Sequence, residues 1–141
     1  MEQIKIQAHI DVRVEIIWNA YTSAEDIMQW NQASDDWHCT GAINDLRIGG
    51  KFKNRMEAKD GSMGFDFIGT YTALEPFKKI AYTMPDGRKV TINFNPKKST
   101  TEITVIFDAE FENPIEMQRQ GWQAILDNFK AYVEKTYGTS S

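Results

Sequence analysis

The stretch that decides the fold is residues 101–137, which read TEITVIFDAEFENPIEMQRQGWQAILDNFKAYVEKTY. Its first part, residues 103–111, alternates apolar and polar side chains, which is typical of a half-buried strand. Asn113 and Pro114 then predict a helix start, because Asn is a favoured N-cap and Pro is favoured at the first helical position. Apolar residues recur three and four positions apart from there on. We therefore expect a long helix over residues 114–137 that lies on a sheet with one apolar face.

The N-terminal part of the chain predicts one strand followed by two short helices. Residues 3–12 alternate between apolar and polar side chains, as a half-buried strand does. Asp11 is the predicted cap of the first helix. Ser23 and Asp26 have the spacing of a capping box, which predicts the start of the second helix.

Turn signals divide the middle of the chain into short segments. Gly-Gly, Asp-Gly and Pro-containing pairs recur between residues 49 and 96, a spacing that indicates an antiparallel meander. With the first strand and the helices, this predicts an α+β helix-grip domain in which a curved antiparallel sheet of about seven strands holds the C-terminal helix. The expected meander strands are residues 37–43, 51–58, 65–74, 79–84, 88–94 and 101–111.

Composition narrows the class of protein. The chain has 141 residues, which predicts one domain over residues 1–141. A formal net charge of −4 gives no basic surface for a nucleic-acid backbone, so we expect no nucleic-acid partner. No apolar run is long enough for membrane insertion, and the single cysteine, Cys39, excludes an intramolecular disulfide. We expect a cytoplasmic protein.

The aromatic residues and methionines of the meander carry the functional hypothesis. Alternation places many of them on the face of the sheet that looks toward the helix. They could form a close-packed core, or they could surround an apolar cavity of at least ~300 Å³ that binds a small hydrophobic molecule. We favour the cavity. The expected ligand-binding residues are Trp37, Phe52, Asn54, Met56, Phe67, Tyr71, Tyr82, Met84, Phe94, Trp122 and Leu126.

No catalytic constellation is visible in the same pattern. General acid–base chemistry needs a carboxylate or imidazole inside the cleft, yet alternation points His9, His38, Glu57 and Asp66 outward. His38 and Cys39 are adjacent on a strand and face opposite ways, so they cannot hold one metal ion together. We expect no catalytic residue, no metal and no cofactor, and we regard an enzyme as the less favoured class.

Several short motifs, taken in order, resemble the SRPBCC (START-related, helix-grip) superfamily. Within it, the sequence is most similar to the bacterial single-domain type of the family named after the activator of the heat-shock-protein-90 ATPase, the AHSA-like family. The resemblance spans nearly the whole chain. The residues that carry it are Trp18-x-Ala20-x-Thr22, Asp45-Leu-Arg-Ile-Gly-Gly-Lys-Phe52, Asp60-Gly-Ser, Gly69-Thr-Tyr71, Ile80-x-Tyr82, Asp86-Gly-Arg88 and Gly121-Trp-Gln-x-Ile-Leu-Asp-Asn-Phe129.

The resemblance implies the helix-grip fold and an inner cavity that holds small hydrophobic molecules in several branches of the superfamily. It also implies two alternatives. One is a protein-interaction, co-chaperone-like module with a chaperone partner. The other is an enzyme of the cyclase or hydrolase type. Function depends on the site and not on the fold, so the residues must separate these possibilities.

Surface positions suggest two further hypotheses. Four lysines, at positions 78, 79, 97 and 98, fall in alternate turns of the meander, so they should lie at one end of the sheet and could bind an acidic partner. Ile68 and Ile106 fall on the outer face of their strands, so the protein is expected to be a monomer or a weak homodimer.

Gly121 lies inside the predicted helix, where glycine costs ~1 kcal/mol relative to alanine, so we expect it to allow close approach of a neighbouring element.

Overall fold

The computed structural model describes residues 2–138 of the chain. It is the α+β helix-grip domain expected from the sequence, with seven strands and three helices in the described part. In chain order the elements are β1 (Gln3–Ile10), α1 (Val14–Thr22), α2 (Ala24–Trp30), β2 (Trp37–Asn44), β3 (Lys51–Ala58), β4 (Gly64–Glu75), β5 (Lys79–Thr83), β6 (Lys89–Pro96), β7 (Thr101–Asp108) and α3 (Ile115–Tyr137).

All seven strands form one antiparallel sheet in the order β1-β7-β6-β5-β4-β3-β2. Strands β2 to β7 follow one another as a meander, and β1 adds to the outer side of β7. The two helices after β1 therefore carry the chain from one edge of the sheet to the other. This crossing places α1 and α2 over the same face that α3 covers.

Helix α3 protects the free edge of β1. Arg119 Nη1 donates to the carbonyl oxygen of Lys5 at 2.9 Å, and Gln123 Nε2 donates to that of Gln7 at 3.1 Å. Lys130 Nζ donates to the carbonyl of His9 at 2.5 Å. An open edge strand is a template for pairing with another chain, so these three side chains also shield the sheet from edge-to-edge association.

The dense core lies between α1, α3 and the β1 side of the sheet. Its largest fully buried side chains are Phe107, Phe129, Ile4, Ile10, Ile17, Ile80, Ile92, Ile103, Val90, Val133 and Thr101. Most are β-branched or aromatic, as expected for strand residues that pack against helices.

Several predicted boundaries are wrong by a few residues. Strand β7 ends at Asp108 and not at residue 111, because its partner β1 begins at Gln3; the Ala109 N–H still bonds to the Glu2 carbonyl oxygen at the end of this ladder, and Phe111 is 86% exposed. Helix α3 begins one residue later than predicted, with Pro114 as its N-cap, because the Asn113 side chain donates to Glu110 instead.

The predicted caps of the two short helices also differ. Arg13 and not Asp11 is the N-cap of α1, and the Asp11 N–H donates to the Glu134 carboxylate of α3 at 2.9 Å. Ser23 is the N-cap of α2, as predicted, yet its side chain makes no cap hydrogen bond. The turn into α1 is therefore held by a tertiary contact, which helix-start rules do not anticipate.

Gly121 does not have the packing role expected of it. A Cβ built at this position would meet no heavy atom of the described residues within 4 Å outside its own surroundings in the helix. The glycine thus faces open space on α3.

Ile68 and Ile106 are half-buried on the outer face of the sheet. No helix within residues 2–138 combines the length and the apolar character needed to cross a bilayer.

Candidate functional site

A cavity of about 380 Å³ lies between the sheet, the α1–α2 pair and α3. Its walls include side chains from β1 and β3 to β7, together with all three helices. Most of the predicted site residues are among them: Phe52, Asn54, Met56, Phe67, Tyr71, Tyr82, Trp122 and Leu126.

Three predicted residues lie outside this wall. Phe94 packs edge-on against Trp18, with 5.3 Å between the ring centres, and so belongs to the core under α1. Trp37 packs against Phe65 at the β2 edge, 5.8 Å between centres. Met84 is buried where the β5–β6 turn begins, and its backbone N–H bonds to Arg88. These positions are at strand ends, which the curved sheet carries away from the cavity.

Helix residues that the sequence did not indicate complete the lining. The face of α1 contributes Tyr21 and Thr22, and α2 with the following turn contributes Ile27, Trp30 and Asn31. Periodicity alone cannot tell which part of a sheet a short helix covers. Arg88, Phe65 and Glu110 also line the cavity.

Contacts between helices hold α2 over the cavity. Asn128 Nδ2 on α3 donates to the carbonyl oxygen of Trp30 at 2.8 Å. The hydroxyls of Tyr132 and Tyr137 both donate to the Asp26 carboxylate. Helix α3 therefore positions the wall that α2 supplies.

Gly69 on β4 makes room for two aromatic walls of the cavity. A Cβ at this position would lie 2.4 Å from the ring of Phe52 and 2.7 Å from that of Tyr82. These rings meet edge to face, with 4.8 Å between their centres. Trp122 is held on the opposite side by stacking on Phe107, 4.0 Å between centres. The aromatic wall is thus built from fixed rings.

A hydrogen-bonded chain ties the cavity wall to the rest of the fold. The Tyr71 hydroxyl donates to Asn44 Oδ1 at 2.5 Å, and Asn44 Nδ2 donates to the Thr22 carbonyl at 2.6 Å. Burial raises the pKa of Tyr71 to about 12, and it raises the pKa of Tyr82 well above its ordinary value. Both phenols are therefore neutral at physiological pH.

Asn54 is the buried amide of this site. It sits between Phe52 and Met56 on the inner row of β3 and is 7% exposed. Its Oδ1 has no hydrogen-bond partner among residues 2–138. Nearby, Asn31 Nδ2 donates to the sulfur of Met56 at 3.6 Å, and a thioether is only a weak acceptor.

The ionisable residues considered for catalysis lie elsewhere. On the outer face, Arg55 binds Glu57 at 3.0 Å and Asp66 at 3.6 Å. His9 contacts Glu102 at 2.8 Å. Cys39 donates to the Gly41 carbonyl, and burial raises the pKa of its thiol. Within residues 2–138, no group of three His, Cys, Asp or Glu side chains could hold a metal ion. The cavity thus offers apolar surface, hydrogen-bonding groups and the ionisable side chains of Arg88 and Glu110.

Comparison with known proteins places the chain among relatives of the same length. The 44% identical AHSA1-like protein from Aeromonas hydrophila, solved by NMR, has a TM-score of 0.92 over 99% of this chain and 97% of that one. Chr148 from Cytophaga hutchinsonii is 43% identical, with a TM-score of 0.83 over 99% and 96% of the two chains.

A more distant structure shares the fold alone. Protein CV1439 from Chromobacterium violaceum is 22% identical, with a TM-score of 0.84 over 95% of this chain and 99% of that one. Among proteins of curated function, none matches the sequence. The model of one family, described as activator of Hsp90 ATPase homolog 1-like protein, matches residues 11–134. The chain is therefore a member of the activator of Hsp90 ATPase homolog 1-like family.

Proposed function

We propose that this protein binds a small hydrophobic molecule in the cavity between the sheet and α3. The observation that carries the proposal is a volume of about 380 Å³, partly open to solvent, that aromatic side chains of the sheet and of α3 surround. Protein interiors normally contain few voids larger than a water molecule. A space of this size leaves aromatic surface without packing partners, and a ligand would supply them.

The size and chemistry of the cavity fit this role. Small-molecule sites typically measure about 300 to 1,000 Å³ and combine apolar walls with a few polar groups. Here rings from β3, β4, β5 and α3 supply the walls, and Asn54 supplies a polar group. Met56 adds an adaptable surface, because its flexible thioether chain can repack around different shapes.

A cavity-filling variant tests the proposal. We expect Met56→Trp to occupy the space and to abolish binding of prodan, a neutral naphthalene dye whose emission shifts in apolar surroundings. Because the indole would enter empty volume, the midpoint of thermal unfolding should stay the same or rise. In a close-packed core the same change would cost about 1 to 3 kcal/mol.

Met117→Trp is the matched control, because Met117 is 58% exposed on α3 and lies outside the cavity wall. It should leave dye binding and stability unchanged. If the parent protein does not bind prodan and Met56→Trp lowers its stability, the aromatic residues form a core and the proposal fails.

The alternative is a co-chaperone-like interaction module, and one surface feature favours it. Lys78 and Lys79 lie at the β4–β5 turn, and Lys97 and Lys98 at the β6–β7 turn, so the antiparallel order puts all four at one end of the sheet. Such an end could bind an acidic protein surface.

Native mass spectrometry of the protein purified from its own cells separates the two candidate functions. A retained small molecule supports binding in the cavity. A retained protein supports the interaction module if Lys→Glu substitutions at these four positions release that protein.

A further inference from the structure

We infer that the cavity binds its ligand through a carbonyl group, whose oxygen accepts hydrogen bonds from the hydroxyls of Tyr21 and Tyr82. The inference rests on the proposed function and specifies the chemical class of its ligand: a compact, largely apolar molecule that carries a neutral carbonyl group. The two tyrosines would then determine specificity within the site.

Both hydroxyls are free of protein partners and accessible. Among the described residues, neither the Tyr21 nor the Tyr82 hydroxyl forms a hydrogen bond, whereas the other three tyrosine hydroxyls each donate to a side chain. The side-chain atoms in this part of the chain that are both buried and unpartnered are Gln32 Oε1 and Asn54 Oδ1. The two hydroxyls are not among them, so each keeps accessible surface. Both tyrosines line the cavity, and Tyr82 as a whole is only 7% exposed, so the free hydroxyls face the cavity.

Neighbouring rings hold the two phenols in place, one on the helix wall and one on the sheet. Tyr21 lies on α1, and its ring contacts Trp30 and Phe129 with 5.0 and 5.1 Å between ring centres. Tyr82 lies on β5 and packs edge-on against Phe52, 4.8 Å between centres. Because these contacts fix the rings before a ligand arrives, little side-chain ordering remains to oppose binding.

The two hydroxyls lie near each other and are protonated. Burial raises the pKa of Tyr21, and it raises the pKa of Tyr82 well above its ordinary value. The hydroxyls of Tyr21 and Tyr71 raise the pKa of Tyr82 further, which requires the phenol oxygens to be close together. At physiological pH, Tyr21 and Tyr82 therefore each present an O–H group that can donate into the same part of the cavity.

A carbonyl oxygen is the complement of two converging donors. It has two lone pairs and no proton, so one oxygen can accept from both hydroxyls. Burial dominates the pKa of Tyr82, yet the positive charge of Arg88, which also lines the cavity, acts to lower it. A positive charge beside this hydroxyl favours an electron-rich oxygen. Since Arg88 already pairs with Asp86 at 2.7 Å and Glu110 lines the same cavity, the site favours a neutral carbonyl over a carboxylate.

Three probes that share a naphthalene ring test the inference by calorimetry. 2-Acetonaphthone carries the carbonyl, 2-isopropenylnaphthalene has a CH₂ group in place of its oxygen, and 1-(2-naphthyl)ethanol has a hydroxyl in place of the carbonyl. We expect the ketone to bind roughly tenfold more tightly than the hydrocarbon, which corresponds to about 1.4 kcal/mol and to one or two net hydrogen bonds. It should also bind more tightly than the alcohol.

Tyr21→Phe and Tyr82→Phe each remove one hydroxyl, so each should weaken the preference for the ketone. The double variant should bind ketone and hydrocarbon alike. Because the hydroxyls have no partner among the described residues, neither change should lower the thermal midpoint of the ligand-free protein. Tyr137→Phe is the matched control, since its hydroxyl bonds to Asp26 outside the cavity wall; the preference should stay as in the parent.

Equal affinity of the parent protein for the ketone and the hydrocarbon, or tighter binding of the alcohol, overturns the inference and leaves the cavity-binding proposal intact. A preference that survives in the double variant would place the carbonyl site elsewhere and also overturn the assignment. A lower thermal midpoint for Tyr82→Phe would reveal a protein partner for its hydroxyl and contradict the inference without any ligand. If none of the three probes nor prodan binds, the proposed function itself fails.

Discussion

The two halves of the sheet bury their inner faces in different ways. On the side of β1, β7 and β6, side chains such as Ile4, Ile103 and Phe107 are fully buried. Among the described residues, β2, β3 and β4 contribute none of the largest fully buried side chains, and the inner residues of β3 and β4 line the cavity, which side chains of β1, β6 and β7 also reach. One continuous sheet thus supports both a dense core and an open site.

The difference arises from where the helices lie. Helix α3 runs along β1, while α2 packs on β2 at the opposite edge. Between these two helices α1 contacts β6, and side chains occupy the remaining gap above the sheet. On the β1 side, branched aliphatic residues fill the gap. On the β3–β4 side, rigid rings such as Phe52 and Tyr82 brace one another across Gly69 and leave space in front of them. The lesson is that cavity formation here depends on helix placement more than on residue hydrophobicity.

Truncating one phenylalanine of the dense core and one of the cavity wall would test this contrast with the largest effect. Phe129 is fully buried between Tyr21 and Trp30, so Phe129→Ala should lower the free energy of unfolding by about 3 to 5 kcal/mol. Phe67 is only partly buried in the cavity wall, so Phe67→Ala should cost clearly less, under about 2 kcal/mol. Urea denaturation measures both. Equal losses would show that the two halves are packed alike.

Alkaline titration would sharpen the comparison, because buried tyrosines line the cavity. Tyr71 has a pKa near 10 in the unfolded chain and about 12 in the folded protein. Below pH 10 both states are protonated and stability is complete. Between pH 10 and 12 only the unfolded state loses the proton, so the free energy of unfolding should fall by at most about 1.4 kcal/mol per pH unit for this residue.

Tyr71→Phe provides the control for this titration. It removes the ionisable group and the hydrogen bond to Asn44, so it should lower stability at neutral pH while making the decline between pH 10 and 12 shallower. Tyr82 remains and acts in the same direction, so some decline should persist. An unchanged slope in the variant would mean that Tyr71 is not buried as described.

The smallest effect is expected at a helix position that belongs to neither half. Gly121 faces open space on α3, so Gly121→Ala should raise the free energy of unfolding by about 1 kcal/mol through helix propensity. Gly69→Ala is the contrasting variant, since its added methyl would collide with the rings of Phe52 and Tyr82. Thermal unfolding of both would compare a free glycine with a required one. A destabilised Gly121→Ala would restore the packing role first expected.

Much of the fold was predictable from local patterns. Alternation identified β1 and β7, turn signals divided the meander into its strands, and the three-and-four spacing identified α3, because strand and helix periods follow directly from backbone geometry. Errors occurred at the ends of elements, which depend on residues far away in the chain. Strand β7 stops where its partner β1 stops, and α1 begins after Arg13 while the Asp11 N–H bonds to Glu134 of α3.

The candidate site was predictable only in part. The inner rows of β3 and β4 followed from alternation, so Phe52, Asn54 and Met56 were found. The helix wall of Tyr21, Trp30 and its neighbours was missed, because its place over the sheet depends on contacts such as that between Asn128 and the Trp30 carbonyl. Such contacts join residues far apart in the chain and have no local signal.

The sequence by itself determined the elements, their order and the side of each strand that faces the helix. Those properties depend on spacing between near neighbours, which backbone geometry converts directly into structure. Only the tertiary structure decided that β1 lies beside β7, that α3 covers the β1 edge, and that space remains in front of β3 and β4. The physical reason is that a cavity is the volume that packed elements fail to fill, so it depends on how all of them are placed together.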